Sequence, residues 1–248
     1  MTIMRPEFFD TPQGRRVAYA QQTGCGPGVV FLGGFASDMT GTKAQALHDW
    51  AARSGRAFLR FDYSGHGQSS GRFEQGCIGD WAADARAAIT ALTDGPQVLV
   101  GSSMGGWIAL LLVRDMADRV AGLVTVAAAP DFTEDMWADF TQAQRDEITQ
   151  AGSTALPSDY GAPLVVTRRM IEDGRENLVL RAPLPLGCPV RFLQGTADAE
   201  VSVATATALL AHADGPDMRL TLVKGADHRF SDQTCLALIE QAIAQVTP

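Results

Sequence analysis

Residues 97–107, QVLVGSSMGGW, constrain the fold of this chain more than any other segment. Residues 98–100 form a short, continuous apolar run, which is typical of a strand buried on both faces of a sheet. The next five residues fit the pattern G-x-S-x-G with Ser103 at its centre, and an apolar, helix-like segment follows. A sharp strand–turn–helix needs glycine at its flanks and presents the central hydroxyl at the carboxyl end of the strand. The segment therefore predicts a nucleophile elbow in which Ser103, rather than Ser102, is the nucleophile.

Strand-like runs alternate with helix-like segments on both sides of this elbow, which predicts an α/β fold with a mostly parallel, doubly wound sheet. A turn between two short strand-like runs in residues 8–20 predicts an N-terminal hairpin. The chain has 248 residues, which suits a single α/β domain with an insertion. The predicted sheet strands are residues 29–32, 58–61, 98–100, 120–129, 190–193 and 218–223.

The alternation breaks between Asp131 and Pro185, where we find helix-like stretches and loops but no convincing strand. The position of this segment suits an inserted helical cap over the strand ends, where ligands bind in open α/β sheets. Met136, Trp137 and Phe140 lie close together on one predicted helical face, so we expect them to form an apolar wall of the substrate pocket. An ordinary pair of surface helices is the alternative.

A serine nucleophile needs a base, and the chain has four histidines. His48 and His212 lie in predicted helices with charged neighbours, and His66 precedes the nucleophile. In strand–elbow–helix hydrolases the order along the chain is serine, acid, histidine, so only a downstream histidine fits. His228, in the loop after the last predicted strand, is therefore the predicted base.

The acid that orients this histidine has more than one candidate. Asp198 follows the strand at residues 190–193 and is our preferred acid. Asp131 follows the preceding strand and remains the main alternative. Asp227 adjoins the base and has difficulty reaching Nδ1 of its own neighbour, whereas Glu200 would need a longer reach.

The tetrahedral intermediate of acyl transfer needs two donors for its oxyanion. We expect one donor to be the backbone N–H of Met104, the residue after the nucleophile. The other is expected from the turn after the strand at residues 29–32, at the backbone N–H of Phe35. Because these donors are backbone N–H groups, the identities of the residues at these positions say little about their role.

Composition and charge exclude several classes of function. A net charge of −8 argues against nucleic acid or an anionic membrane as the main partner. No run of about 18 apolar residues is present, and the first residues lack the apolar stretch of a secretory signal. The four cysteines are scattered without metal-ligand spacing, so we expect free thiols, no metal and a cytoplasmic location.

Five segments resemble one branch of the α/β-hydrolases, which includes mitochondrial palmitoyl-protein thioesterases and acyl-glucuronide esterases. The resemblance implies the α/β-hydrolase fold, hydrolysis of S-acyl cysteine and O-acyl bonds, and no metal or organic cofactor. It places the family's nucleophile, acid and base on Ser103, Asp198 and His228. The chain departs from the family at residues 33–34, where Gly-Gly replaces the usual His-Gly of the oxyanion loop. The segments are GFASDMTGTKA, RFDYSGHGQSSG, DGPQVLVGSSMGGW, CPVRFLQG and GADHRF.

We therefore expect a serine hydrolase that cleaves carboxylic ester or thioester bonds of an acylated substrate through an acyl-enzyme. A cofactor-free perhydrolase or a carbon–carbon bond hydrolase would use the same three residues. A catalytically idle scaffold that binds a ligand is the alternative from another class, although such a scaffold has no need to keep all three positions filled.

Overall fold

The computed structural model describes residues 6–157 and 163–247. Two short segments lie outside the described residues, residues 1–5 and residues 158–162. The first belongs to the N-terminal stretch in which we found no secretory signal, and the second belongs to the predicted cap. The strands are β1 (Glu7–Asp10), β2 (Arg16–Gln22), β3 (Cys25–Leu32), β4 (Arg56–Phe61), β5 (Gln97–Ser102), β6 (Val120–Val126), β7 (Ser153–Leu156), β8 (Leu164–Thr167), β9 (Leu184–Pro185), β10 (Val190–Gly195), β11 (Ala213–Asp214) and β12 (Met218–Val223). The helices are α1 (Thr42–Ser54), α2 (Ile78–Leu92), α3 (Met104–Asp115), α4 (Phe132–Asp139), α5 (Gln142–Ala151), α6 (Arg168–Glu176), α7 (Val203–His212) and α8 (Gln233–Val246).

Eight of the strands form one sheet in the order β1-β2-β4-β3-β5-β6-β10-β12. The last six strands in this order, β4, β3, β5, β6, β10 and β12, are parallel, and β2 pairs with β4 in the antiparallel sense. β1 and β2 form the predicted N-terminal hairpin, with Phe8 opposite Ala18. The predicted fold class, a mostly parallel and doubly wound sheet, is confirmed.

Helices cover both faces of the sheet because its central strands are apolar on both sides. On one face, Leu99 of β5 belongs to the cluster that contains Trp81 of α2 and Trp107 of α3. On the other face, Val98 and Val100 belong to the cluster formed with α1 and α8. All three of these β5 side chains are fully buried, which explains the uninterrupted apolar run in the sequence.

The parallel strands place the predicted site residues at one edge of the sheet. Ser103 follows β5, Asp198 follows β10 and His228 follows β12. Phe35 comes after β3, the neighbour of β5. Because the carboxyl ends of parallel strands lie at the same edge, four residues far apart in sequence converge there.

The segment between β6 and β10 contains helices α4, α5 and α6, as expected, and also three strands, which are β7, β8 and β9. β7 and β8 are antiparallel, with Ser153 opposite Thr167 and Leu156 opposite Leu164. The expectation that this segment holds no strand is therefore wrong. β7 and β8 have four residues each and β9 has two, too few for a period-two pattern to stand out from the flanking helices. The segment's role as a substrate cap stays a prediction.

None of the helices described in residues 6–157 and 163–247 combines the length and apolar character that a membrane crossing requires.

Candidate active site

Ser103 lies at the turn between β5 and α3 in a strained backbone conformation, with φ 54° and ψ −119°. The neighbouring glycines are required by close backbone approach. A Cβ on Gly101 would lie 2.3 Å from the carbonyl oxygen of Gly105, and a Cβ on Gly105 would lie 2.1 Å from that of Leu32. No side chain fits at these distances, so glycine at both flanks is a steric condition for the turn. The predicted elbow geometry is present at Ser103.

Two backbone N–H groups next to Ser103 are available to a ligand. Met104 is the first residue of α3, where the N–H groups of a helix have no partner within the helix. Phe35 follows Gly34, and a Cβ on Gly34 would lie 3.4 Å from the Cβ of Ser103. Neither the Phe35 nor the Met104 N–H donates a hydrogen bond to another of the described residues. Backbone N–H donors without a partner near the nucleophile are what an oxyanion hole requires.

A buried carboxylate supports the loop that carries Phe35. Asp62 accepts hydrogen bonds from the N–H groups of Met39, at 2.7 Å, and Gln68, at 2.8 Å. Burial is the largest influence on the Asp62 carboxyl and raises its pKa. Gly67 has φ 47°, and a Cβ there would lie 2.1 Å from Oδ2 of Asp62. The motif RFDYSGHGQSSG therefore has a structural role, and its His66 is buried.

The imidazole of His228 contacts the carboxylate of Asp198. Nδ1 lies 2.9 Å from Oδ2 and 3.1 Å from Oδ1, and the Asp198 side chain is fully buried. Asp131 has a different role, since its carboxylate accepts hydrogen bonds from the N–H groups of Val179, at 2.8 Å, and Leu180, at 3.0 Å. The contact with the imidazole therefore belongs to Asp198, the preferred acid of the sequence analysis.

Three further donors hold the Asp198 carboxylate. Oδ1 accepts from the N–H groups of Glu200, at 2.9 Å, and Val201, at 2.8 Å, and Oδ2 accepts from Nε2 of Gln194 at 3.0 Å. Burial raises the pKa of the Asp198 carboxyl, but the bonds from Val201, His228 and Glu200 outweigh burial and hold it below its ordinary value. Sequence reasoning missed Gln194, a buried amide near the carboxyl end of β10.

The other ring nitrogen of His228 faces a carboxylate as well. Nε2 lies 3.3 Å from Oε2 of Glu200, whose side chain is 64% exposed. Among the described residues, Ser103 Oγ makes no hydrogen bond with Nε2. In ligand-free enzymes such bonds are often long and tighten when substrate binds.

The loop that carries His228 is braced from two sides. Lys43, in the first turn of α1, donates a hydrogen bond from Nζ to the carbonyl oxygen of Arg229. Burial lowers the pKa of the Lys43 ammonium. Phe230 is fully buried with φ 48°, and its N–H donates to Oδ1 of Asp227 at 3.1 Å. Sequence reasoning missed Lys43, because 186 residues separate it from its partner.

An aromatic group surrounds the side chain of Phe35. Its ring centroid lies 4.9 Å from that of Phe73, 5.9 Å from that of Trp81 and 5.4 Å from that of Phe132. Phe132, the first residue of α4, also contacts Trp107, with centroids 5.5 Å apart. Sequence reasoning did not single out Phe132 as a residue beside the site.

The predicted pocket residues lie on α4 and at its end. The indole of Trp137 contacts two guanidinium groups, with Arg175 5.0 Å and Arg145 5.8 Å from its ring centroid. It also contacts the buried Phe140, with centroids 6.1 Å apart, and Met136 is half-buried. That Trp137, Met136 and Phe140 line the pocket stays a prediction.

Residues 6–157 and 163–247 hold no group of three or more His, Cys, Asp and Glu side chains suited to a metal ion.

Comparison with known proteins identifies the family of this chain. The family described as "Serine aminopeptidase, S33" matches residues 28–159. Bovine and human palmitoyl-protein thioesterase ABHD10, mitochondrial, are each 33% identical to the chain over 238 residues, which is 95% of this chain and 78% of each relative. The chain belongs to the α/β hydrolases. The family resemblance that the sequence motifs indicated is confirmed, and this hydrolase is an enzyme of the serine-hydrolase type.

Solved structures of related proteins have the same architecture. A putative hydrolase from Agrobacterium vitis S4 superimposes on this hydrolase with a TM-score of 0.93 at 38% identity, covering 98% of this chain and 99% of that one. Mouse α/β hydrolase domain-containing protein 10 superimposes with a TM-score of 0.90 at 31% identity, covering 98% of both chains. The similarity to both therefore includes the segment between β6 and β10.

The expected cytoplasmic location is corrected by these comparisons, because the bovine, human and orangutan relatives of this hydrolase are all named as mitochondrial. The sequence argument rested on scattered cysteines and on the lack of an apolar signal. Both features argue against secretion only, and they do not discriminate between compartments inside the cell.

Proposed function

We propose that this hydrolase cleaves thioester and carboxylic ester bonds of acylated substrates, with Ser103 as nucleophile, His228 as general base and Asp198 as the orienting acid. The observation that carries the proposal is the convergence of a strained, glycine-flanked serine and a hydrogen-bonded His–Asp pair at one edge of the sheet. The relatives named as palmitoyl-protein thioesterases support the same bond class.

In the first half-reaction, Ser103 Oγ attacks the acyl carbon and its proton moves to Nε2 of His228. Asp198 holds the imidazole with Nδ1 protonated, so that Nε2 has its lone pair free for that proton. As the tetrahedral intermediate collapses, the bond to sulfur or oxygen breaks and Nε2 returns the proton to the leaving thiol or alcohol. The acyl group remains on Ser103 as an ester.

In the second half-reaction, a water molecule takes the place of the leaving group. Nε2 accepts a proton from this water as it attacks the acyl-enzyme, and then returns a proton to Ser103 Oγ as the carboxylic acid leaves. In both half-reactions the oxyanion accepts hydrogen bonds from the N–H groups of Phe35 and Met104. Because these donors are fixed by the backbone, they need no reorganisation as charge develops.

A fluorophosphonate probe tests the nucleophile directly. We expect covalent labelling of the wild type and none of Ser103→Ala, with a fall of about 10⁴- to 10⁶-fold in kcat for a butyryl thioester and its oxygen ester. Ser102→Ala is the matched control, since it removes a buried hydroxyl one residue away. Labelling that persists in Ser103→Ala and disappears in Ser102→Ala would overturn the assignment.

A further inference from the structure

Glu200 lies beside the atom through which protons reach and leave the substrate. Its Oε2 is 3.3 Å from Nε2 of His228, the nitrogen opposite the contact with Asp198. The backbone of Glu200 is fixed, because its N–H donates to Oδ1 of Asp198 at 2.9 Å. The carboxylate itself is mostly in solvent, so it can turn aside when a substrate arrives.

Three other charged side chains near His228 have different partners. Lys43 donates to the carbonyl oxygen of Arg229, and Asp227 accepts from the N–H of Phe230. Asp198 has a fully buried side chain and contacts Nδ1. Among the described residues, Glu200 is therefore the exposed carboxylate at the Nε2 side of the imidazole.

Two of the acidic residues at the start of the predicted cap have partners of their own. Asp131 accepts from the backbone at residues 179–180, and Oε1 of Glu134 lies 2.8 Å from Nε of Arg175. Glu200, by contrast, contacts the proposed base.

We propose that Glu200 is a specificity-determining residue for the leaving group, which favours thiols or alcohols that carry a positive charge and disfavours those that carry a carboxylate. The inference rests on the proposed function, because it requires Nε2 to protonate the leaving atom. That atom must then come within about 3 Å of Nε2, so substituents two or three bonds away lie roughly 5–7 Å from the Glu200 carboxylate. Among S-acylated peptides, those with Lys or Arg beside the acylated cysteine fit this chemistry.

The expected size of the effect is modest because Glu200 is exposed. The ratio of kcat/KM for a cationic and an anionic substrate combines one attraction and one repulsion, which together change it by about three- to tenfold at low ionic strength. The Debye length is about 10 Å at 0.1 M salt and about 3 Å at 1 M, so high salt should remove most of the discrimination.

Three S-butyryl thioesters test the proposal at one pH with one assay for the released thiol. Their leaving groups are thiocholine, which is cationic, its neutral isostere 3,3-dimethylbutanethiol, and 3-mercaptopropionate, which is anionic. We expect kcat/KM in the wild type to fall in that order. In Glu200→Gln, the ratio of kcat/KM for the cationic to that for the anionic substrate should fall by about three- to tenfold, and in Glu200→Lys this ratio should fall further.

Glu172→Gln is the matched control, because it removes the same charge from an exposed position on α6 and should leave the ratio unchanged. A ratio that is the same in the wild type, Glu200→Gln and Glu200→Lys would overturn the role of Glu200. An equal change in Glu172→Gln would also overturn it, since the effect would then come from net charge. Failure of the wild type to hydrolyse even the neutral thioester would instead overturn the proposed thioesterase function.

Discussion

Replacing Asp198 with asparagine should abolish catalysis by fixing His228 in the wrong tautomer. Oδ1 of Asp198 accepts two backbone N–H groups, from Glu200 and Val201, which have no freedom to rotate away. The single oxygen of an asparagine must therefore occupy the Oδ1 position. Its NH₂ group then replaces Oδ2 and faces Nδ1 of His228 and Nε2 of Gln194, where the wild type has an acceptor.

The forced reversal of donor and acceptor sets the size of the effect. With an NH₂ group opposite Nδ1, the imidazole must accept there and carry its proton on Nε2, which leaves no lone pair for the proton of Ser103. The same substitution in a Ser-His-Asp site lowers kcat by about 10⁴-fold, or about 5.5 kcal/mol. The introduced amide would also oppose the amide of Gln194, donor against donor, which should cost about 1–3 kcal/mol of unfolding free energy.

Asp131→Asn is the matched substitution that separates the two candidate acids. Each of its oxygens accepts one backbone N–H, from Val179 and Leu180, so asparagine leaves one of these donors without a partner. We expect a loss of about 1–3 kcal/mol in stability and less than a tenfold change in kcat.

The assay combines steady-state kinetics on a neutral butyryl thioester with thermal unfolding followed by circular dichroism. Both variants should unfold cooperatively, and only Asp198→Asn should lose activity far beyond its loss of stability. The reasoning is refuted if Asp131→Asn loses about 10⁴-fold in kcat while Asp198→Asn stays within tenfold of the wild type.

Four other predictions follow from individual contacts. Gly105→Ala should prevent the elbow from forming, because its Cβ would lie 2.1 Å from the last carbonyl oxygen of β3; a soluble, active variant would contradict this. A thiol reagent at pH 8 should modify only the exposed Cys25 in the native protein and all four cysteines after unfolding. Burial raises the pKa of the other three thiols, to about 12 for Cys77 and Cys235 and to about 11 for Cys188. In an acetyl-to-octanoyl series, kcat/KM should rise about fourfold per methylene until the pocket is full, and Phe132→Ala should alter this profile more than Trp137→Ala, since Phe132 contacts the ring beside the proposed oxyanion hole. The pKa of Asp198 is depressed in the folded protein, so its charge stabilises the fold above the ordinary pKa of 3.8, and that contribution is lost as pH falls through the depressed pKa. The difference in unfolding free energy between the wild type and Asp198→Asn should therefore shrink on acidification.

The elements that sequence analysis predicted best are those whose signal is local. The strand at residues 218–223 has the predicted bounds, because its alternating apolar and polar residues identify it without reference to its neighbours. The elbow could also be predicted from the sequence, because the glycines that flank Ser103 are required by steric contacts with nearby backbone atoms.

The contacts that complete the candidate site were beyond sequence reasoning because they join distant segments. Gln194 supports Asp198 through an amide that in the sequence is only a polar residue in a strand. Lys43 reaches Arg229 across 186 residues, and the side chain of Glu200 turns to the distal nitrogen of the imidazole. For Trp137, a helical face could be predicted, but the two guanidinium groups that it contacts belong to other helices.

Backbone strain in the described residues concentrates at the edge of the sheet that carries the candidate site. All five non-glycine residues with positive φ follow the carboxyl ends of parallel strands, and they are Ala36, Ser103, Ala127, Asp131 and Phe230. Such conformations cost of order 1–3 kcal/mol each and persist only where the surrounding structure fixes them, which here is a sheet packed on both faces. Three of them fall in the proposed oxyanion loop, the elbow and the loop of the proposed base, so the rigid core holds the reacting groups in place before substrate binds. Only the strain at Ser103 had a signature in the sequence, because there the flanking residues, rather than the strained one, must be glycine.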